Sequence, residues 1–169
     1  MDDTIDRSFP EIPGDVLQLL KSGATDDIRI DKEGNWFHNG EPFINKKIID
    51  YFNRSVNITA EGRYVIHYGE FTYPIAVDDA PVFVTGVLFQ GFGPFEKIIL
   101  NLTTGEPEEL DISTLTFKNK TLYCRVKNGR LPAKFMRSPC FHILERLDER
   151  NGEFYLHLCG KNILIVNED

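Results

Sequence analysis

GRYVIHYGEFTYPI, residues 62–75, has a counterpart in GEFYLHLCGKNILI, residues 152–165. Each stretch opens on glycine, sets a histidine five residues later among aromatic and aliphatic side chains, and turns into a second apolar run. Apolar residues alternating with polar ones between turn formers are the pattern of strands, so each stretch predicts a hairpin. The likeness extends upstream. HNGEPF (38–43) and IIDYF (48–52) precede the first stretch, and KNGRLP (127–132) and ILERL (143–147) precede the second. In both places the order is a tight Asn-Gly turn, a helix, a glycine, and an aromatic strand carrying histidine. Gly62 and Gly152 stand 90 residues apart, as do His67 and His157, and Gly40 and Gly129 stand 89 apart. A register that holds this well predicts an internal repeat of a β-rich unit carrying one helix.

The remaining segments fit around that repeat. DIRIDKEGNWFHNGEPFI predicts a short β-meander with turns at Gly34-Asn35 and Asn39-Gly40. NKKIIDYFNRS changes period, with Ile48, Ile49 and Phe52 at helical spacing behind a potential cap, Asn45. VFVTGVLF and KIILNLT form two further strands joined by QGFGPFE, an added pair between the halves. GDVLQLLKS, residues 14–22, predicts a short amphipathic helix in an N-terminal arm. The expected fold is therefore α+β: two tandem small β-rich domains, each with one helix on a sheet, and a cleft between them. The expected boundaries are 1–24 for the arm, 25–81 for the first domain and 82–169 for the second, which includes the extra strand pair.

Composition narrows the function classes. The chain has 169 residues, 41% of them hydrophobic and 27% charged, which supports a packed core. A net charge of −7 opposes nucleic acid polymers and anionic membrane surfaces, while a small anion can still be held locally. Three cysteines form no CxxC pair and are poor material for a disulfide framework, so they read as reduced thiols. The N-terminal stretch lacks the pattern of a secretory signal and no apolar run approaches a membrane span. A cytoplasmic location is the resulting expectation.

IAVDDAPVFV, residues 75–84, interrupts apolar strands with two carboxylates and a proline. Alternation sends Ile75, Val77 and Asp79 to one side and Ala76, Asp78 and Ala80 to the other, so the two aspartates do not form an acid dyad. Pro81 removes a ladder donor and keeps Ala80 extended. The run thus reads first as punctuation, ending one copy and crossing to the middle strands. Its functional alternative is a carboxylate facing a ligand hydroxyl or a hydrated cation.

DIRIDKEGNWFHNGEPF, the helix IIDYFNR, LTTGE, CRVKNGRLPAKFMRSPCFHILERL and above all Val77 to Pro81 resemble the bacterial domain of unknown function 1285 family. The resemblance spans nearly the whole chain from about Asp27. It implies two similar tandem α+β domains with a cleft, for which a nucleotide-like ligand and a signalling role have been considered. It brings no established activity. Trp36, Asp78, Asp79 and Pro81 are motif residues without assigned roles.

Lys46 and Lys47 follow the cap Asn45 and put two cations where the helix dipole prefers acids. Arg137 precedes Ser138-Pro139, a cap and a first-turn proline, so a cation again sits at a helix entrance. Backbone N–H groups beside cations can take a phosphate or carboxylate, although long side chains also lie harmlessly over apolar surface. Trp36 reads as an anchor of the first domain or as a stacking face for a base. The expected ligand site is therefore Trp36, Lys46, Lys47, Asp78, Asp79 and Arg137, holding a small anionic, nucleotide-like ligand in the cleft of a non-enzymatic sensor or regulatory protein. No cofactor or metal is expected. The alternatives are a metal-assisted hydrolase using Asp78 and Asp79, and a protein-interaction module working through a sheet edge. His67 and His157 are expected to be packing residues with satisfied ring nitrogens, and GFGPF, residues 91–95, a plain hairpin turn.

Overall fold

The computed structural model describes residues 28–68 and 71–168. The arm helix expected at 14–22 and the break expected at Gly69-Glu70 lie outside them. Among the described residues the chain is mainly β, with two α-helices and four sheets. It divides into two compact units between Asp79 and Ala80. No helix among the described residues is long and apolar enough to cross a membrane.

In the first unit, β1 (Ile28–Ile30), β2 (Trp36–His38) and β3 (Glu41–Pro42) form the expected meander. Asn39 and Gly40, with φ of 50° and 80°, make the β2–β3 turn in the left-handed region that an Asn-Gly pair tolerates. Helix α1 (Lys46–Ser55) follows, and Asn45 caps it by accepting from the Lys47 N–H at 3.0 Å. It buries Ile48, Tyr51, Phe52 and Asn53. β4 (Val56–Ile58), β5 (Tyr64–Tyr68) and β6 (Phe71–Pro74) then form an antiparallel sheet. Finally β7 (Ala76–Val77) returns to pair parallel with β1.

In the second unit, β8 (Val82–Gln90) and β9 (Lys97–Leu102) form a long hairpin closed by a 3-10 turn at Gly93–Phe95. GFGPF is thus the plain turn expected of it. β10 (Glu108–Glu109) pairs with β9. β11 (Thr116–Lys118), β12 (Thr121–Val126) and β13 (Leu131–Phe135) form a meander, and β13 pairs parallel with β8. Helix α2 (Arg137–Leu144) packs on β8 and β12. The antiparallel sheet of β14 (Leu147–Arg150), β15 (Glu153–Leu158) and β16 (Lys161–Ile165) follows. β17 (Asn167–Glu168) then pairs parallel with β11 and completes a seven-stranded sheet of order β10-β9-β8-β13-β12-β11-β17.

Two expectations need correction. Ser138 does not cap α2: Met136 is the cap, the Cys140 N–H bonds its carbonyl, and no side-chain oxygen takes part. The chain enters helical geometry two residues earlier than a serine cap requires, which leaves Ser138 inside the first turn. The helix also does not run through ILERL. It ends at Leu144, and Leu147 already belongs to β14.

Candidate functional site

Of the six residues expected to hold a ligand, Trp36 requires correction. It is 1% exposed, its ring lies 5.3 Å from that of Phe52, and its indole N–H donates to Asn53 Oδ1 at 2.8 Å. A ring covered on its faces and satisfied at its one polar atom offers nothing for a base to stack upon, so the anchoring role is the one it plays.

Lys46 and Lys47 are exposed in the first turn of α1, where no acidic residue accompanies them. Asn45 already takes the Lys47 N–H, and the Ile48 and Ile49 N–H groups bond the Asn45 carbonyl. The attraction of this entrance for an anion therefore comes from the side-chain cations more than from spare backbone donors. Arg137 opens α2, again with no acid in the first turn, and its guanidinium lies 5.6 Å from the centre of the Phe141 ring. Pro139, the third helical residue, has no N–H to offer.

Asp78 is exposed, with Arg29 Nε 3.7 Å from its carboxylate, and its backbone N–H donates to the Ile30 carbonyl. Both partners are about half exposed, so the pair contributes little to stability. Asp79 is half-buried and Ala80 buried, and the intervals of exposure from Ile75 to Asp79 follow the expected alternation. The run stands where β7 ends and the second unit begins.

Two cavities lie within the second unit, and none of the six residues lines them. One, of about 380 Å³, is bordered by Glu108, Asp111, Thr114, Arg125 and Lys127. Its charges are committed internally: the Glu108 carboxylate accepts from the Lys127 N–H at 3.0 and 3.2 Å, and Lys127 Nζ reaches Glu106 at 3.2 Å. The other, of about 430 Å³, is bordered by Pro94, Glu96, Glu109, Asp111, Cys159 and Lys161.

Glu96 is the distinctive group of that second cavity. Its side chain is 6% exposed, and both oxygens accept from Arg146 Nη1 at 2.7 Å. The Cys159 N–H adds a third bond at 3.0 Å, and the Arg146 guanidinium lies 4.0 Å from the centre of the Phe89 ring. Burial works to raise the Glu96 pKa. The bonds from Arg146 and Cys159 outweigh it and hold the carboxyl below its usual range. The Cys159 thiol is pushed up by burial and by Glu96 and Glu109, and Cys124 is pushed up to about 12 by burial and Glu108. Both sulfurs are therefore protonated, weak nucleophiles at neutral pH.

The two histidines occupy matching places on central strands. His67 Nδ1 is 3.1 Å from Thr72 Oγ1 and Nε2 is 3.2 Å from Asn57 Nδ2, while His157 Nδ1 is 2.8 Å from Asn162 Oδ1. Each ring has at least one nitrogen engaged by a cross-strand neighbour, but both side chains are exposed, which corrects the expectation that they pack inside.

The fold has solved counterparts. A DUF1285 family protein from Silicibacter pomeroyi matches with a TM-score of 0.66 and 21% identity, covering 82% of this chain and 79% of that one. The fold is that of DUF1285 proteins. A DUF1285 family protein from Shewanella baltica matches with a TM-score of 0.56 and 18% identity, over 71% of this chain and 91% of that one. No protein-family model matches the sequence, and the comparison with curated proteins gives no match.

Proposed function

We propose that the chain is a DUF1285 family member that works by binding: a cytoplasmic regulatory or sensor protein for a small anionic, nucleotide-like ligand held at a basic helix entrance, that of α1 or that of α2. The observation that carries this is that Lys46 and Lys47 on α1 and Arg137 on α2 are exposed cations at helix starts without an accompanying acid, in a chain of charge −7. Cations there oppose the dipole, and local rules are broken most often where function requires it. Asp78 and Asp79 are the polar residues of this reading. Trp36 is removed from it by its burial.

The reading includes an origin by duplication. Each unit runs three antiparallel strands, a helix, three antiparallel strands and a last strand parallel to the first, which supports two copies of one ancestral unit. The second copy carries β8, β9 and β10 in addition.

A thermal-shift series with nucleotides and simple phosphates tests the site. Stabilisation by one of them, lost in Lys46→Ala/Lys47→Ala or in Arg137→Ala, is the expected result, and a shift that survives all three changes overturns the assignment. A hydrolase built on Asp78 has less in its favour, because Arg29 already faces that carboxylate. An interaction module has one observation of its own: Phe92 and Phe95, 84% and 85% exposed, stand at the tip of the β8–β9 hairpin. A protein partner captured by the wild-type chain and lost with Phe92→Ser/Phe95→Ser would favour it.

A further inference from the structure

Sheet β14–β16 lies between helix α2 and strand β17 in the chain and is a separate three-stranded sheet. No strand of it pairs with the seven-stranded sheet. Within β14–β16 only Leu156 and Leu158 are buried apolar residues, whereas Leu147, Phe154 and Leu164 are exposed. Its polar contacts with the β8–β9 hairpin converge at one place. Glu96, just past the turn of the β8–β9 hairpin, takes both Arg146, which leads into β14, and the N–H of Cys159 in the β15–β16 turn. Phe89 of β8 lies against the other side of the Arg146 guanidinium. Beside them Gly160, at φ +71°, sits so close to the hairpin tip that an added Cβ would be 2.8 Å from the Pro94 nitrogen.

We propose that Glu96 and Arg146 form a latch, and that β14–β16 is a separately opening segment of the second unit whose closed state this contact sets. A carboxylate sealed among few apolar contacts makes the attachment all-or-none: with Arg146 withdrawn, Glu96 is left charged and desolvated, so the hairpin and the sheet separate and water enters. Opening uncovers Leu156 and Leu158, while the pairing of β8 with β9 and β13 does not depend on it. The segment is a conformational device that needs no ligand site of its own and stands independently of the anion reading.

Native-state amide hydrogen exchange on the full chain tests it. In Glu96→Gln, exchange at β15 and β16 rises about tenfold, as losing a part-buried, charge-assisted contact requires, and exchange at β8, β9, β12 and β13 stays at the wild-type rate. Arg146→Gln is the second variant, withdrawing the cation while leaving the β15–β16 turn unstrained, and it accelerates the same amides. Acceleration spread evenly over the seven-stranded sheet, or none at β15 and β16 in the folded variants, overturns the latch. If Glu96→Gln does not fold, the Arg146→Gln profile decides between the same two outcomes.

Discussion

The two three-stranded sheets that follow the helices share a connectivity but are fastened differently. On β5 the successive residues Val65 and Ile66 are both buried, so that strand is covered on its two faces. On β15 only the face of Leu156 and Leu158 is buried, while Tyr155 is half-buried and His157 is exposed. The first sheet is also tied to its helix by the Tyr51 hydroxyl, which donates to the His67 carbonyl at 2.8 Å, and by Val56 and Tyr73 in the core. The second adds to Leu156 and Leu158 the Glu96–Arg146 ion pair and the Cys159 N–H bond to Glu96. Apolar burial distributes attachment over many atoms and is insensitive to pH, whereas a buried carboxylate concentrates it in one contact that protons can weaken.

The largest expected break in this contrast is Phe52→Ala. Phe52 is fully buried between Trp36, Phe43 and Tyr51, and truncation should cost about 3–5 kcal/mol. Trp36 is the chain's only tryptophan, so its fluorescence in a denaturant titration reads the first unit alone. Acid should act on the other unit. The Glu96 pKa lies below its ordinary 4.5, so its contribution is complete above that value and is lost as pH falls from there through the lowered folded value. Limited proteolysis across that window should cut β14–β16 progressively earlier while Trp36 fluorescence holds. The groups facing Glu96 are Arg146 and His157, with Glu109, Asp111 and Lys161 around the same cavity, and the first two favour its charge. Simultaneous loss of both signals would remove the distinction between the sheets. The smallest effect is that of Tyr51→Phe. Losing one hydroxyl bond to His67 should cost about 1 kcal/mol by the same fluorescence titration.

Much of the candidate site was legible because it is local. Asn45 as cap, Lys46 and Lys47 in the first turn and the break at Asp78 to Pro81 are read from neighbours in the chain, and the structure puts them there. Trp36 could be read as an anchor or as a stacking face because nothing adjacent in sequence announces Asn53, the residue 17 positions away that satisfies its N–H. The junction of Glu96 with Arg146 was invisible for the same reason: 50 residues separate them, and Arg146 sits in a segment whose spacing suggested a longer helix. The Asn-Gly turns, by contrast, carry their conformational requirement in their own residues.

Periodicity and turn residues by themselves determined the first meander, the β5–β6, β8–β9 and β15–β16 strand pairs and helix α1 with its Asn45 cap, because those signals act over a few residues and are set by backbone sterics and hydrogen bonding. Only the tertiary structure decided which strands became neighbours across the chain, as in β13 with β8 and β7 with β1, and which polar groups were taken out of water. The closure of distant segments depends on apolar surface being buried in common. The charge state and partner of a residue such as Glu96 exist only once that burial has brought Arg146 to it.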